Sequence, residues 1–529
     1  MAPGSCAANH LSHVAAEHVH NLASIGVNAS ASVDFGGSAT LLRETLWQHC
    51  FNESHNHDRK IRIGVLGGSM TDGSMNCHAL AHVVCVGKNK PVARAWPAVL
   101  QTMLRDALRP FPCTVEVVPR ATSASRVNLF LSEPELTRRV LPSDDLIIED
   151  YSINDNKGIH PNDTHVRHQV QGGFELLARR TRALGMQLVH VEATAYSCST
   201  RGGDHVSDGT TDADSAAPRE NINEAVARFY GVPIVSFARA TGWCQSKGAN
   251  PLWLGGCGAL DTPGVLCGAH PGPSTHRIYA NMLAAFILHQ AANVAAQRHA
   301  TASGAGGSSS GCIGDDIVQQ RLVDLGPSDS PPSSIATNPS AVYLPSKTLT
   351  ALVGCPRPLA EINVVYTGCS GSRQALQRPA RSVGWRCYED RPGKPGWIST
   401  VASPNVSSTI EFPMRLSSGG FVVVGYLRSY EGMARATVGI DRRYGDADGA
   451  VTIDGLWHDP TSQLDYAVIP VETLLGPRKP NITLTSNPSC IARPQHCPGA
   501  RVAFLVGLHL RTDRDRDDAK FKLMSLSTC

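Results

Sequence analysis

Three segments carry residue types suited to acyl chemistry. "GVLGGSMT" sets Ser69 just past an apolar run, "YSINDN" sets Asn154 just past another, and "AHPGPSTHRIYA" sets His270 before a proline and the start of a helical stretch. A serine hydroxyl attacks an ester carbonyl only with a base in hydrogen-bond reach, and the developing oxyanion needs preorganised donors. Ser69 would supply the hydroxyl, His270 the base, and the Asn154 side-chain amide one donor. Taken singly each piece is ordinary: Gly-Gly-Ser makes turns, and Asn-Asp starts loops by bonding the local backbone. Asp155, beside Asn154, is read as a loop-capping carboxylate. The conjunction argues for a site.

Placing the three together is the work of the elements around them. "IRIGVLGG", "CTVEVVPR", "DLIIEDYS", "MQLVHVEATA" and "VPIVSFARA" are near-continuous apolar runs. Between them lie helical patterns such as "WPAVLQTMLRDAL" and "HVRHQVQGGFELLARRTRALG". Buried strands alternating with amphipathic helices predict a parallel sheet covered on both faces. Ligands of such sheets sit beyond the carboxyl ends of the strands, where Ser69 and Asn154 fall.

The 529 residues exceed what one core holds, so more than one domain is expected. Residues 1–58 read as an N-terminal extension with a short helical stretch at "LLRETLWQHCF", and 59–300 as the α/β domain. The Gly/Ser/Pro-rich 301–344 reads as a linker, and 345–529 as an all-β sandwich-type domain built of short runs such as "STIEFPMRL" and "GGFVVVGYLRSY". In it, Trp385, Trp397, Tyr426, Tyr430 and Trp457 stand among turns. They either offer flat faces to sugar rings or fill the sandwich core.

The three blocks in this order resemble the SGNH (GDSL-like) hydrolase family over roughly residues 60–295, with multidomain algal-type members sharing a β-rich C-terminal region. The resemblance implies a flavodoxin-like doubly wound parallel sheet. It implies Ser69 as nucleophile, Asn154 as oxyanion donor and His270 as base. It also puts Ala121, in "VVPRATSAS", where the family has a glycine whose N–H completes the oxyanion hole.

The departures are specific. Gly68 replaces the aspartate of the usual Gly-Asp-Ser, and Ser152 stands where the family often has glycine. Cys267 occupies the position of the aspartate that orients the histidine. Loss of that carboxylate costs on the order of 10⁴-fold in Ser-His-Asp enzymes. Asp261 replaces it if "TPGVLCGA" loops out. Cys267 itself is read as a disulfide cysteine, with Cys257 or Cys244 as the alternatives for its partner.

The implied activity is ester hydrolysis, with O-acyl (acetyl) groups of a glycan or glycoconjugate as substrate. Acyl transfer to a sugar hydroxyl is the second alternative, and a glycan-binding protein with a decayed site is the third. Nothing calls for a cofactor.

Composition bounds the rest. A net charge of +3 over this length gives no reason to expect nucleic acid as partner. The most apolar stretch, "NMLAAFILHQAANVAAQ", is broken by His289 and Gln290 and reads as a core helix rather than a membrane span. Sixteen cysteines without Cys-x-x-Cys pairing argue for disulfides rather than zinc, with Cys77 and Cys85 closing a loop beside the Ser69 block. Sequons at Asn28, Asn52, Asn162, Asn405 and Asn481 lean the same way, toward a secretory-pathway or extracellular protein. The start lacks a basic and apolar leader, which pulls against that expectation. His165 with His168, and His55 with His57, lack carboxylate or thiol partners at ligand spacing and read as surface histidines.

Overall fold

The computed structural model describes residues 4–29, 33–34, 39–52, 59–71, 95–122, 125–131, 133–156, 164–193, 221–241 and 273–302. Beyond these it describes 364–366, 379–389, 395–400, 408–414, 416, 421–429, 432–440, 449–456, 462–475, 504–511 and 520–528. The chain divides into two units, one of residues 1–127 and 138–343, the other of residues 128–137 and 344–529. The expected linker lies almost wholly outside the described residues.

The first unit is built on five parallel strands: β1 (Lys60–Gly67), β2 (Thr114–Pro119), β3 (Leu146–Asp150), β4 (Gln187–Glu192) and β5 (Ile234–Ser236). Their order is 2-1-3-4-5, with the two-residue strand Val33–Asp34 antiparallel on β5. This is the doubly wound order whose direction reverses between β1 and β3, the switch point where ligands of such sheets bind.

Pleat alternation sorts the strand residues between two covering layers. Ile61, Ile63, Val65, Leu146, Ile148, Val189 and Val191 share a core with α1 (Gly4–Ala23), α2 (Thr40–Leu46), α3 (Trp96–Leu108) and a later helix, Pro273–Ala302. On the opposite face, the His190 ring meets the edge of Phe174, at 5.2 Å between centroids. Phe174 belongs to the helix Thr164–Ala183.

The later helices of the unit are α4 (Ser152–Asn156), α5 (Thr164–Ala183), α6 (Glu224–Phe229), α7 (Phe237–Thr241) and α8 (Pro273–Ala302). α8 is apolar nearly all round and buried along most of its length, as a core helix should be. No described helix is long and apolar enough to cross a membrane. Within α8, burial and the Arg43 charge hold His289 at about 4, so it is neutral at neutral pH, with Asn293 Nδ2 3.0 Å from its Nε2.

α1 is the main element the sequence pattern did not disclose. Its buried stripe is Ala7, Ala8, Leu11, Ala15 and Leu22. Alanine at three of these positions leaves little hydrophobic periodicity to see. Polar side chains also tie it down: His18 Nδ1 lies 2.8 Å from Asn281 Oδ1 of α8, and His10 Nε2 lies 3.2 Å from the Ala107 carbonyl. The described cysteines of this unit, Cys6, Cys50 and Cys113, are all in disulfides, with Cys50 bonded to Cys113. The pairings expected of Cys77, Cys85, Cys244, Cys257 and Cys267 lie outside the described residues.

The second unit is a sandwich of two antiparallel sheets. Its strands are β6 (Val364–Tyr366), β7 (Arg381–Val383), β8 (Trp385–Glu389), β9 (Pro395–Thr400), β10 (Ser408–Met414) and β11 (Phe421–Arg428). They continue as β12 (Arg435–Ile440), β13 (Val451–Asp454), β14 (Gln463–Pro470), β15 (Phe504–Arg511) and β16 (Lys520–Thr528). One sheet runs 14-11-16-9-8, with β6 also on β16, and the other runs 13-12-15-10-7.

Trp385 and Tyr426 point into the core between the sheets, and Trp397 packs against it. The Tyr426 ring stacks on Phe521 at 5.7 Å, and Trp385 meets Phe521 edge-on at 6.3 Å. These three are on strands rather than turns, and of the two alternatives open for them the structure favours core packing. Tyr430 and Trp457 lie outside the described residues.

The two sheets are joined at one edge by Gly384, which separates β7 of one from β8 of the other. Its φ is +72°, and a Cβ there would lie 2.6 Å from Ser408 Cβ. Ser399 Oγ donates to the Gly384 carbonyl at 2.9 Å and lies 2.6 Å from Ser408 Oγ. Gly384→Ala combines a left-handed backbone with a steric clash. It is expected to cost about 2 to 4 kcal/mol, read as a lower midpoint in thermal or urea unfolding. An unchanged midpoint would show that the corner reshapes freely.

Candidate active site

Ser69 and Asn154 come from the carboxyl ends of β1 and β3, the neighbouring strands that flank the switch point. Ser69 is half-buried in the turn that follows β1 directly. Asn154 sits in α4, one short helical turn after β3. Its Nδ2 donates to the Ser125 carbonyl at 2.7 Å, which fixes which way the amide faces. Arg126 Nε donates to the Asn154 carbonyl at 2.8 Å. The same Nδ2 lies against Gly68, the residue before Ser69.

Every polar residue of α4 braces a neighbouring stretch of chain. Ser152 Oγ accepts from Ala193 N–H at 2.7 Å, at the end of β4. Asp155 accepts from Val127 N–H at 2.9 Å and from Asn223 Nδ2 at 2.7 Å. Asn156 Oδ1 accepts from Ile222 N–H at 3.0 Å. Asp155 is fully buried, so its part is that of a brace. Burial, followed by repulsion from Glu149, holds its carboxyl well above the usual range despite those donors.

Ala121 follows β2 between two clamped neighbours. Arg120 N–H donates to the Val65 carbonyl at 2.7 Å and Thr122 N–H to the Gly67 carbonyl at 2.9 Å. Alternation along an extended chain then turns the Ala121 N–H to the edge away from β1. The segment is held from its flank as well, by Arg139 donating to the Arg120 carbonyl and to Thr122 Oγ1, each at 2.6 Å. His270, Asp261 and Cys267 lie outside the described residues.

Beneath the Ser69 turn lies a polar chain that pattern reading of the sequence did not single out. Asp150, the last residue of β3, accepts at Oδ2 from Thr71 Oγ1 at 2.9 Å and from Trp96 Nε1 at 3.0 Å. Trp96 opens α3, and its backbone N–H donates to His276 Nδ1 of α8 at 3.3 Å, which puts the ring proton on Nε2. The turn carrying Ser69, β3, α3 and the first turn of α8 are thereby linked. One signal was available: two acidic residues, Glu149 and Asp150, end a strand that is otherwise apolar and buried on both faces.

The two carboxylates are resolved differently. Glu149 pairs with His190 Nδ1 and accepts from Tyr151 N–H at 2.8 Å. Burial lowers the His190 pKa, but Glu149, Glu192 and Asp155 together raise it further, so the net shift is upward. Asp150 forms no salt bridge among the described residues, where the only charge that favours its ionised form is the more distant His190, and its Oδ1 meets no hydrogen-bond partner among them. Burial pushes Asp150 up to about 7, with Glu149 adding repulsion against the lowering effect of the Thr71 and Trp96 donors.

No group of described residues could hold a metal ion. His168 is exposed on α5, and His55 and His57 lie outside the described residues.

No family model matches the chain, and no curated protein matches it. Among solved structures, the chain is similar to TesA at 18% identity and a TM-score of 0.18, over 25% of this chain and 59% of that one. It therefore spans less than two thirds of TesA. It is similar to the xylan-binding module CBM15 at 8% identity and a TM-score of 0.17, over 28% of this chain and 94% of that one. A third is a carbohydrate-binding module (CBM6cm-2) from Cellvibrio mixtus lichenase 5A in complex with cellotriose. There the identity is 9% and the TM-score 0.15, over 28% of this chain and 89% of that one. Similarities at this level carry no argument about chemistry, which rests on strand order and side-chain geometry.

The Asp150 carboxyl supplies a pH test. Its folded pKa of about 7 lies above the ordinary 3.8, so the folded chain keeps a proton that the unfolded chain loses. The resulting stability is whole below the ordinary value and is lost as pH rises through about 7, roughly 4 kcal/mol in all. Asp150→Asn retains an oxygen acceptor for Thr71 and Trp96 but does not titrate. Urea unfolding from about pH 4 to 8 should show wild type losing stability relative to the variant. Parallel curves would remove Asp150 as the source.

Proposed function

We propose that the first unit is a serine esterase of the SGNH type. The observation that carries this is the placement of Ser69 and Asn154 at the carboxyl ends of two adjacent strands, astride the switch point of a 2-1-3-4-5 sheet. In this reading Ser69 Oγ attacks the ester carbonyl and His270 takes its proton. His270 then returns that proton to the departing alcohol. Water, activated by the same histidine, releases the acid from the acyl-enzyme.

The oxyanion is held by the Ser69 N–H and the Asn154 Nδ2, whose orientation the bond to Ser125 sets. Ala121 is left out of the donor set, since its N–H faces away from β1. Asp261 is the proposed partner for the far nitrogen of His270, in place of the aspartate that Cys267 displaces.

The proposed substrate class is an O-acyl, foremost O-acetyl, ester of a glycan. What supports the glycan half is the β-sandwich unit. It carries Tyr388 at its surface, with the Arg386 guanidinium 5.0 Å from the ring centroid, a pairing suited to a sugar face and its hydroxyls. The disulfides support a setting in the secretory pathway or outside the cell.

Purified chain should hydrolyse p-nitrophenyl acetate and be labelled by a fluorophosphonate probe, and Ser69→Ala should abolish both. Asn154→Ala should retain probe labelling but lose about 10²- to 10³-fold in kcat, the cost of one oxyanion donor. If wild type and Ser69→Ala are equally inert and unlabelled, the esterase reading fails and a binding protein with a decayed site takes its place. Acyl transfer in place of release would appear as acylated acceptor sugar with little free acid.

A further inference from the structure

We propose that Gly68 is a positioning residue of this site, its bare Cα being the seat that brings the Asn154 amide against the turn carrying Ser69. For what the amide does there, the inference rests on the esterase reading. For where the amide sits, it rests on geometry alone.

Gly68 is not glycine for the sake of its backbone. Its φ lies outside the left-handed region, so an L-residue could adopt the same conformation. Space is the constraint. A Cβ built on Gly68 would fall well inside contact distance of Asn154 Nδ2, with Asn154 Cγ at 3.5 Å and the Ser125 carbonyl oxygen at 3.6 Å. A contact that close has to be relieved by movement of one side or the other.

Asn154 has little freedom to give way. Its amide is bonded to the Ser125 carbonyl, its own carbonyl is held by Arg126, and the residues on either side of it in α4 are buried. Rotating the amide by half a turn would point Oδ1 at the Ser125 oxygen and exchange a hydrogen bond for repulsion between two acceptors. A side chain at position 68 must therefore lift the amide off Ser125 or shift the turn that presents Ser69. Either movement separates the proposed donor from the proposed nucleophile. An aspartate at this position, as in the usual Gly-Asp-Ser, could not coexist with Asn154 placed as it is here. Gly68 and the position of Asn154 form one coupled feature.

The test is a double-mutant cycle of Gly68→Ala with Asn154→Ala, read in both stability and turnover. In otherwise wild-type protein, Gly68→Ala should lower the unfolding midpoint and reduce kcat about 10²-fold with little change in KM, as loss of an oxyanion donor does. In the Asn154→Ala background, where nothing is left to clash, the same change should leave the midpoint nearly unmoved and alter kcat less than about threefold. Gly68→Asp should act at least as strongly as Gly68→Ala. If Asn154→Ala does not fold, Asn154→Ser takes its place in the cycle.

Equal effects of Gly68→Ala in both backgrounds would overturn the proposal. So would an unmoved side-chain amide resonance of Asn154 in folded Gly68→Ala protein. Should wild type hydrolyse no ester at all, the esterase reading falls on its own, and the stability arm of the cycle still decides where Asn154 is seated.

Discussion

The carboxyl edge of the α/β sheet is held together by the side chains of a five-residue helix. α4 follows β3 directly, and Ser152, Asn154, Asp155 and Asn156 between them bond three segments: the end of β4, residues 125–127 after β2, and residues 222–223. Strands of a parallel sheet are fixed along their length by ladder bonds, but the loops beyond their ends have no such ladder. Here one helical turn takes its place. Because Ser152 and Asp155 are buried, a bond lost at either would leave a donor or acceptor unsatisfied, which costs more than the bond itself contributes. The position of Asn154 follows from this bracing.

The same edge concentrates acidic residues in the protein interior. Glu149, Asp150, Asp155 and Glu192 are all buried, with His190 among them. Like charges at this density cannot all ionise in a medium of low dielectric. The chain resolves this by pairing Glu149 with His190 and by raising the carboxyl pKa of both Asp155 and Asp150, so that Asp150 holds its proton to about neutral pH. Asp150 is the member bonded to the turn carrying Ser69, through Thr71. Rigidity of that turn and the protonation of a buried acid are thus coupled by a hydrogen bond.

Local pattern carried much of the architecture. The five parallel strands stand where near-continuous apolar runs predicted them, because strands covered on both faces need apolar residues at every position. α3 and α8 were equally plain. α1 was not, since alanine forms its buried stripe. β8 and β9 are harder to see in the sequence, because their Arg, Gly and Pro content masks the single tryptophan that each sets in or against the core. Ser69 and Asn154 could be placed at strand ends from sequence, but what holds them could not. The bonds from Thr71 and Trp96 to Asp150 span 79 and 54 residues, and that from Trp96 to His276 spans 180. No local window contains both ends of such a contact.

The corner at Gly384 has a further consequence. β7 and β8 are the outermost strands of their respective sheets, and a single residue separates them. Exposed strand edges are templates on which another chain can add a strand and begin a fibre. Here the two edges at this side of the sandwich are one continuous chain, bent through a left-handed residue and carrying Arg381 and Arg386 outward. An incoming strand would meet a β7 of only three residues. Beyond it lies a bend that breaks the row of backbone donors, and then like charges. The residue that joins the two sheets thereby also interrupts the row of backbone groups on which such a strand would have to pair.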